Sequence, residues 1–262
     1  MTPRLYVEGL GLVADAELSL PEGGARHIQV LRLQPGDKLS LFNGQGGEWQ
    51  AQVTQMGRRE VAVRVLSHQD INRELAIHVT LALGMPANDR MDNLVEKATE
   101  LGVGAIQPLV CERSVLRLEG ERAAKKVAHW HGVAVAASEQ SGRTVVPTIA
   151  PVMTLKQWLG QAPDDAGTAR AVLSFSPQQD LLAWQQAQRR QAPSPDQPLA
   201  WCFLSGPEGG LSPAEEAMAR AAGHAPIGLG PRVLRADTAP LMVLSCLAAL
   251  QAQAEGGSAD GA

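Results

Sequence analysis

Two glycine- and proline-rich loops carry the residues of this chain that are best suited to chemistry. The first loop reads GPEGG at 206–210 and places the charged Glu208 between a Gly-Pro pair and a Gly-Gly pair. The second loop reads GLGPRVLRAD at 228–237 and holds Arg232 and Arg235. Glycines let a ligand lie against bare backbone, and nearby charged side chains can then bind or polarise it. The two loops therefore predict two walls of one binding pocket.

Neither loop matches a phosphate-binding signature. The pattern G-x-x-x-x-G-K-[ST] is absent from the chain, and the G-x-G at 102–104 follows a helix pattern and precedes a strand pattern, the reverse of the dinucleotide-binding order. We therefore expect a ligand without a triphosphate. A simpler interpretation stays open, in which Gly206, Gly209 and Gly210 only provide the backbone angles of a tight connection.

The elements on either side of GPEGG predict where the first loop lies. LAWCFLS at 199–205 reads as a buried central strand, and Ser212, Pro213 and Glu215 form an N-cap, a first helical proline and a capping-box glutamate. The loop then joins the carboxyl end of a strand to a helix N-terminus. In open parallel sheets, ligands bind at that edge.

The periodicity of the chain changes near residue 70. Residues 1–68 are short alternating runs broken by turn residues, typical of a small β-barrel or sandwich; RHIQVLRL at 26–33 is a helical turn or a strand. From residue 75 onward strands alternate with helices, beginning with a helix that Asp89 could N-cap. This alternation predicts an α/β domain with a mainly parallel sheet, and residues 191–198 read as a proline-rich linker within it.

Composition limits the classes of partner. The chain has 262 residues, 45% of them hydrophobic, with a formal net charge of −4, which suits one large or two modest domains. No basic excess supports nucleic-acid binding, so such binding must depend on a few locally placed arginines.

Cysteine usage and hydropathy predict a cytoplasmic protein that does not enter a membrane. Cys111, Cys202 and Cys246 are widely spaced and form no C-x-x-C pair, so they suggest buried side chains in a reducing compartment and no metal site. No apolar run reaches the roughly 20 residues that span a bilayer. The N-terminal segment also lacks the apolar core of a signal peptide.

Four segments together resemble a known family: EKATELGVGAIQPLVCERS, ASEQSGRTVVPTI, GPEGGLSPAEE and LGPRVLRADTA. They are similar, in the same order, to motifs of the RsmE-type methyltransferases of the SPOUT superfamily. RLYV and HIQVLRL also match that family's N-terminal pattern. The resemblance implies a PUA-like β-barrel RNA-binding domain at 1–70 and a trefoil-knot methyltransferase domain at 71–255, and residues 256–262 are expected to be a disordered tail.

The resemblance also implies a reaction and a cofactor. The family transfers a methyl group from S-adenosylmethionine to N3 of one uridine in small-subunit (16S) ribosomal RNA. Carried over by position, the cofactor-binding residues are Leu204, Gly206, Glu208, Gly209, Leu229, Gly230, Val233 and Leu234. The family's Leu-Arg-Thr-Glu-Thr-Ala is Leu-Arg-Ala-Asp-Thr-Ala here, so Ala236 lacks a hydroxyl and Asp237 is shorter than the usual glutamate.

The catalytic candidates follow from the chemistry of uracil. The nucleophile is the anion formed when N3 loses its proton, which a nearby arginine stabilises. Arg235 and Arg232 are the candidates for this role, and Glu208 or Asp237 could take the proton. Surface ion pairs for the arginines and helix capping for Asp237 remain open alternatives.

RNA contacts are expected from basic residues outside these loops. The candidates are Arg4, Arg26, His27, Arg32 and Arg143. A solvated barrel surface is the alternative for the first four. For Arg143 the alternative is a helpful positive charge at the end of a long helix.

The last helix pattern, TAPLMVLSCLAALQA, is apolar nearly all round. Such a helix must be buried on all sides, which predicts a homodimer unless one chain buries it completely. Two other functions also remain open at this point. One is a SPOUT methyltransferase that acts on a ribose 2′-hydroxyl or another RNA base, and the other is a non-catalytic RNA-binding assembly factor.

Overall fold

Two units with separate sheets make up the chain. The first combines Met1–Glu74 with Val135–Val146, and the second combines Leu75–Ala134 with Pro147–Ala262. The change of sequence pattern near residue 70 does not indicate that residues 135–146 join the first unit, because that grouping depends on contacts between distant parts of the chain. The computed structural model describes residues 2–58, 60–87, 90–161, 167–191 and 199–259.

The first unit contains a five-stranded sheet in the order β1-β3-β4-β5-β2. β1 and β3 are parallel, and the other neighbours are antiparallel. Val61, Val63 and Val65 are buried in alternation, as the strand period of two requires. The elements are β1 (Arg4–Tyr6), β2 (Glu17–Ser19), α1 (Glu22–Val30), β3 (Lys38–Phe42), β4 (Glu48–Met56) and β5 (Val61–Gln69).

Helix α1 resolves the choice left open for RHIQVLRL. It ends in a Schellman motif, in which the Leu33 N–H donates to the Ile28 carbonyl at 3.3 Å and the Arg32 N–H donates to the Gln29 carbonyl at 3.0 Å. Arg32 occupies the left-handed position with φ +57°. Glycine or asparagine normally takes this position, so an arginine there is an unusual choice.

The second unit contains an all-parallel sheet in the order β11-β13-β10-β12-β6-β7-β8, with β9 also paired to β7. The α/β class with a parallel sheet is therefore confirmed. The elements are β6 (Ile77–Gly84), α2 (Arg90–Glu100), β7 (Ala105–Val110), α3 (Gly120–Ser141), β8 (Thr148–Ile149), β9 (Met153–Thr154), α4 (Leu155–Gln161), β10 (Thr168–Leu173), β11 (Gln179–Asp180), α5 (Leu181–Gln191), β12 (Leu199–Ser205), α6 (Pro213–Ala221), β13 (Ala225–Gly228) and α7 (Thr238–Ala259).

Aromatic side chains fill part of the core beside β12. Trp184 of α5 packs edge-on against Trp201 and Phe203 of β12, with ring centroids 5.2 Å apart in both pairs. All three side chains are almost completely buried. This packing fixes the central strand from which the first glycine loop emerges.

The last helix continues further than the sequence suggests. α7 runs to Ala259, so residues 256–259 are helical where disorder was expected, and residues 260–262 lie outside the described residues. The proposed cap Asp89 and most of the proline-rich segment, 192–198, also lie outside them. Among the helices that the structure describes, none is both long and apolar enough to cross a bilayer.

A buried histidine makes the stability of the second unit depend on pH. His224 is only 2% exposed; its Nδ1 lies 3.1 Å from the Ala219 carbonyl oxygen, and its Nε2 has no hydrogen-bond partner. Burial lowers the pKa of His224 from 6.5 to about 4. Between these values the unfolded chain binds more protons than the folded one, so stability is lost as the pH falls.

We expect the free energy of unfolding to fall by about 2 kcal/mol from this residue alone between pH 7.5 and pH 5. Urea denaturation at the two pH values measures the difference. In His224→Leu the free energy of unfolding should depend less on pH, because leucine does not titrate. An equally steep pH dependence in the variant would contradict this account.

Candidate active site

Both glycine loops emerge from the carboxyl edge of the parallel sheet. β12 ends at Ser205 before the first loop, and β13 ends at Gly228 before the second. β10 lies between these two strands and ends at Leu173, so its own exit segment enters the space between the loops. The two predicted walls therefore face one another across a third element.

A cavity of about 490 Å³ lies between these three segments. This volume is within the usual range for a small-molecule site. Its lining combines backbone, apolar side chains and a few charged groups. The lining residues are Arg90, Leu173, Ser174, Phe175, Pro177, Ser205, Gly206, Pro207, Glu208, Gly210, Leu211, Glu216, Ile227, Gly228, Leu229, Gly230, Pro231, Arg232, Val233, Leu234, Arg235, Ala236 and Ala239.

The predicted capping box at the start of α6 is confirmed. The Glu215 N–H donates to Ser212 Oγ at 3.2 Å, and Glu215 Oε2 accepts from the Ser212 N–H at 2.9 Å. Glu215 Oε1 also accepts the Glu112 N–H at 2.8 Å, which ties the loop after β7 to the same point. The buried Glu215 thus anchors the end of the first loop.

Turn geometry explains part of the glycine content of the first loop. A Cβ on Gly206 would lie 2.6 Å from the Leu211 backbone nitrogen, so no larger residue fits there. The Gly209 carbonyl accepts from Arg113 at 2.9 Å, and Gly209 does not line the cavity. Leu204 is completely buried in the core behind the cavity. Of the cofactor contacts expected from this loop, the structure brings Gly206 and Glu208 to the cavity and leaves Leu204 and Gly209 outside its lining.

All four cofactor residues expected from the second loop line the cavity. They are Leu229, Gly230, Val233 and Leu234. Gly230 has φ +95°, and a Cβ there would meet nothing within 4 Å, so glycine is needed for the backbone angle alone. Val233 is 80% exposed, unusually high for a valine at a cavity. This wall therefore offers a ligand both bare backbone and apolar surface.

The two candidate catalytic arginines are exposed cations at the cavity. Within the described residues, neither Arg232 nor Arg235 has a side-chain hydrogen bond or ion pair, and both line the cavity. The surface ion-pair alternative thus finds no partner among those residues. Both guanidinium groups are available to an anionic substrate.

Glu208 is held in place by the loop after β6. Its Oε1 accepts the Ala87 N–H at 2.8 Å and lies 3.7 Å from Arg90 Nη1. Its Oε2 carries no hydrogen bond within the described residues. Glu208, the charged residue between the glycine pairs, therefore connects two loops, lines the cavity and keeps one oxygen without a hydrogen bond among the described residues.

Two buried polar atoms near the cavity have no partner in the described part of the chain. Ser205 lines the cavity, is 4% exposed, and its Oγ has no hydrogen bond. Asp237 Oδ1 is also buried and unpaired, whereas the Thr238 and Ala239 N–H groups at the start of α7 donate to the Arg235 carbonyl. A polar ligand bound in the cavity would give Ser205 Oγ a hydrogen-bond partner.

Two of the expected RNA contacts lie in a buried network of the first unit. Arg4 donates to the Ser138 and Arg143 carbonyls at 3.3 and 3.0 Å and pairs with Glu48 at 2.9 Å. Burial lowers the pKa of Arg4, which Glu48 partly offsets. Arg143 is 3% exposed, and its Nε donates to Glu74 Oε2 at 2.9 Å. Both guanidinium groups stabilise the end of α3 and the segment after it. Their partners within the chain give Arg4 and Arg143 a structural role that needs no RNA contact.

Of the other three expected RNA contacts, Arg26 and His27 lie on α1, and Arg32 lies two residues after its last residue, at the same end. Arg26 and Arg32 are exposed, and neither side chain has an ion pair within the described residues. His27 is partly exposed and lies 3.7 Å from Glu139 Oε2. Burial raises the pKa of Glu139. The exposed end of α1 is therefore the basic surface that remains open to RNA.

Sequence reasoning missed the third wall of the cavity. Ser174, Phe175 and Pro177 follow β10, and Glu216 faces the cavity from α6. The available signal was the run ARAVLSF, a strand that ends in polar and aromatic residues at the same sheet edge as GPEGG. Among the described residues there is no group of three or more His, Cys, Asp or Glu side chains that could hold a metal ion.

Family models match most of the chain. A model described as an RNA methyltransferase domain covers residues 73–248, and one described as an RNA methyltransferase PUA domain covers residues 20–66. The chain belongs to this family of RNA methyltransferases. The membership confirms the predicted class of enzyme, and the second model confirms an N-terminal PUA-type domain.

Curated relatives and solved structures agree with this family. Ribosomal RNA small subunit methyltransferase E of Bacillus subtilis is 32% identical over 84% of each chain, and the Synechocystis protein of that name is 31% identical over 91% of this chain and 75% of its own. The Neisseria gonorrhoeae enzyme, crystallised with S-adenosyl methionine, superposes with a TM-score of 0.84 at 31% identity, covering 95% of this chain and 98% of that one. A putative methyltransferase from Legionella pneumophila, also bound to the cofactor, has a TM-score of 0.83 at 32% identity and the same coverage.

Proposed function

We propose that this protein transfers a methyl group from S-adenosylmethionine to N3 of a uridine in small-subunit (16S) ribosomal RNA, a step of ribosome maturation in the cytoplasm. The observation that carries the proposal is the cavity between two glycine loops, with two unpaired arginines at it, in a chain of the RNA methyltransferase family. The names of the relatives support ribosomal RNA as the substrate class.

The cavity suits S-adenosylmethionine in size and in polarity. The bare backbone of Gly206, Gly228 and Gly230 and the buried hydroxyl of Ser205 would hold the nucleoside part, and Leu229 and Leu234 would add apolar contact. When bound, the cofactor supplies a methyl group already activated on a sulfonium. The task of the protein is then to position the two reactants and exclude water.

The arginines provide the charge that uracil chemistry needs. Arg235 stabilises the N3 anion, and Arg232 adds a second positive charge to the same wall. Glu208 Oε2 would accept the N3 proton, and N3 would then be the nucleophile for the methyl group that the bound cofactor would supply. This route needs no cysteine nucleophile, and Cys202 lies buried within β12, with burial raising its thiol pKa to about 12.

The N-terminal unit provides RNA affinity through the exposed end of α1. Arg26 and Arg32 are the free cations there, and Arg32 keeps a left-handed backbone angle that disfavours any residue with a Cβ. Residues in such backbone conformations are enriched at functional sites, which supports a role for the Arg32 side chain in RNA binding. The near-neutral charge of the unit means that few phosphate contacts are made.

Arg32→Gly should separate folding from RNA binding. Relief of the left-handed strain should leave the free energy of unfolding unchanged or raise it by about 1 kcal/mol. RNA affinity should fall, and the slope of log affinity against log salt should decrease by about one. Fluorescence titration with a ribosomal RNA fragment at several salt concentrations measures both quantities.

A second non-glycine residue with positive φ provides the matched control. Asp15 has φ +64°, so Asp15→Gly relieves the same kind of strain without removing a cation. It should leave the salt slope unchanged. RNA binding by Arg32→Gly that equals the parent's would mean that α1 makes no phosphate contact.

A homodimer through α7 completes the proposal. Val243, Leu244 and Leu247 are buried within the chain, whereas Met242 and Cys246 are partly exposed and Ala249 is exposed along another side of the same helix. A second copy would cover that partly exposed side. Light scattering at micromolar concentration should give twice the chain mass of 27.7 kDa, and a mass near 27.7 kDa would contradict the dimer.

The direct test uses purified protein, S-adenosylmethionine and small ribosomal subunits from cells that lack the enzyme. Nuclease digestion and chromatography with mass spectrometry should identify N3-methyluridine as the product. A 2′-O-methylated nucleoside would favour the ribose methyltransferase, and no product with intact RNA binding would favour the assembly factor.

A further inference from the structure

A carboxylate of α6 lines the cavity with one oxygen unused. Glu216 Oε1 accepts from Ser174 Oγ and from Arg220 Nη2, both at 2.6 Å. Within the described residues no hydrogen bond reaches Oε2. Two donors on one oxygen fix the orientation of the carboxylate, so Oε2 is a pre-positioned acceptor in a residue that lines the cavity.

The charge state of Glu216 suits an acceptor. Burial acts to raise the pKa of this carboxyl, but the hydrogen bonds from Ser174 and Arg220 outweigh burial and hold the pKa below its ordinary value. The group is therefore an acceptor without a proton at neutral pH. Its ion pair with Arg220 already compensates the negative charge, so a neutral hydrogen-bond donor is a sufficient partner.

An exposed aromatic side chain, Phe175, lines the same cavity. Phe175 is 75% exposed although it lines the cavity, and a Cβ on Gly210 would lie 3.3 Å from its ring. The segment around it is tied to Glu216, because the Ser176 N–H donates to Ser174 Oγ at 3.0 Å and Arg220 reaches the Ser176 carbonyl at 3.4 Å. An exposed aromatic ring and an oriented acceptor that line the same cavity suit a purine nucleoside, because a base can stack on the ring.

We propose that Glu216 and Phe175 form an adenosine-recognition corner of the cofactor site. The Phe175 ring contacts the adenine, and Glu216 Oε2 accepts a hydrogen bond from the adenosine part, either from the exocyclic N6 amino group or from a ribose hydroxyl. This inference rests on the proposed use of S-adenosylmethionine. It adds two side chains outside the glycine loops to the set that selects the cofactor.

Calorimetry on the full chain tests the corner with two ligands. S-Adenosylhomocysteine carries both the nucleoside and the amino-acid part, whereas 5′-methylthioadenosine lacks the amino-acid part. Glu216→Gln should weaken both ligands by about tenfold or more, the effect of losing one charge-assisted hydrogen bond. Phe175→Ala should also weaken both and, because the ring is exposed, should leave the ligand-free melting temperature unchanged.

Glu121→Gln, which removes an exposed carboxylate of α3 in the same unit, should bind both ligands as the parent does. A loss confined to S-adenosylhomocysteine would place Glu216 at the amino-acid part and overturn the inference, and so would unchanged binding in both variants. If the parent itself binds neither ligand, the proposed cofactor fails as well.

A third ligand identifies the donor. In 5′-methylthioinosine an oxygen replaces the N6 amino group. If the N6 amino group is the donor, the parent should bind the inosine analogue more weakly than the adenosine analogue. Glu216→Gln should then not weaken the inosine analogue any further. If a ribose hydroxyl is the donor, the variant should weaken both nucleosides equally; either result supports contact with the adenosine part.

Discussion

Arg235→Ala should slow methyl transfer by roughly 10²–10³-fold, the cost of losing one preorganised charge-assisted contact to a developing anion. The guanidinium is exposed, unpaired within the described residues and part of the cavity lining. Its loss should therefore affect the reacting uracil far more than the cofactor. S-Adenosylmethionine affinity measured by calorimetry should stay close to that of the parent.

The pH dependence distinguishes anion stabilisation from general damage. A higher pH deprotonates N3 without help, so it should partly restore the rate of Arg235→Ala relative to the parent. Arg122→Ala, at an exposed arginine of α3 in the same unit, is the control and should keep the parental rate. A defect that is equally large at every pH would contradict the assigned role.

Arg143→Met should strongly destabilise the first unit. Its side chain is 4% exposed and Glu74 is 19% exposed, so removing the cation leaves a largely buried carboxylate without its main partner. Breaking such a pair typically costs about 3–5 kcal/mol. Urea denaturation should show this loss, with RNA binding by the remaining folded fraction nearly normal.

Arg73→Met is the matched comparison for Arg143→Met. Arg73 is 43% exposed and lies 3.5 Å from Glu48, so its loss should cost about 1 kcal/mol or less. If Arg143→Met were as stable as the parent and yet lost RNA affinity, Arg143 would be a substrate contact, as the sequence resemblance suggested.

Local signals explain which parts of the site could be predicted. Ser212, Pro213 and Glu215 lie within four residues and start α6 by their own hydrogen bonds, so the loop before them could be placed at the sheet edge. Gly230 likewise follows from the backbone angle at one residue. Both loops were predictable because neighbouring residues determine their conformation.

The features that the sequence did not predict depend on contacts between residues far apart in the chain. The roles of Arg4 and Arg143 depend on Glu48 and Glu74 and on the end of α3, which lies more than 60 residues from both carboxylates. Glu216 lines the cavity because β10 lies between β12 and β13. No local sequence pattern indicates the order of the strands in a sheet. The trefoil knot implied by the resemblance depends on the same long-range threading and stays a prediction.

The most direct test of the central claim is mass spectrometry of nucleosides from small-subunit ribosomal RNA. Cells with the gene, cells without it and cells that express only Arg235→Ala should be compared. N3-methyluridine should be present in the first, absent from the second and strongly reduced in the third. Equal amounts of N3-methyluridine with and without the gene would contradict the account.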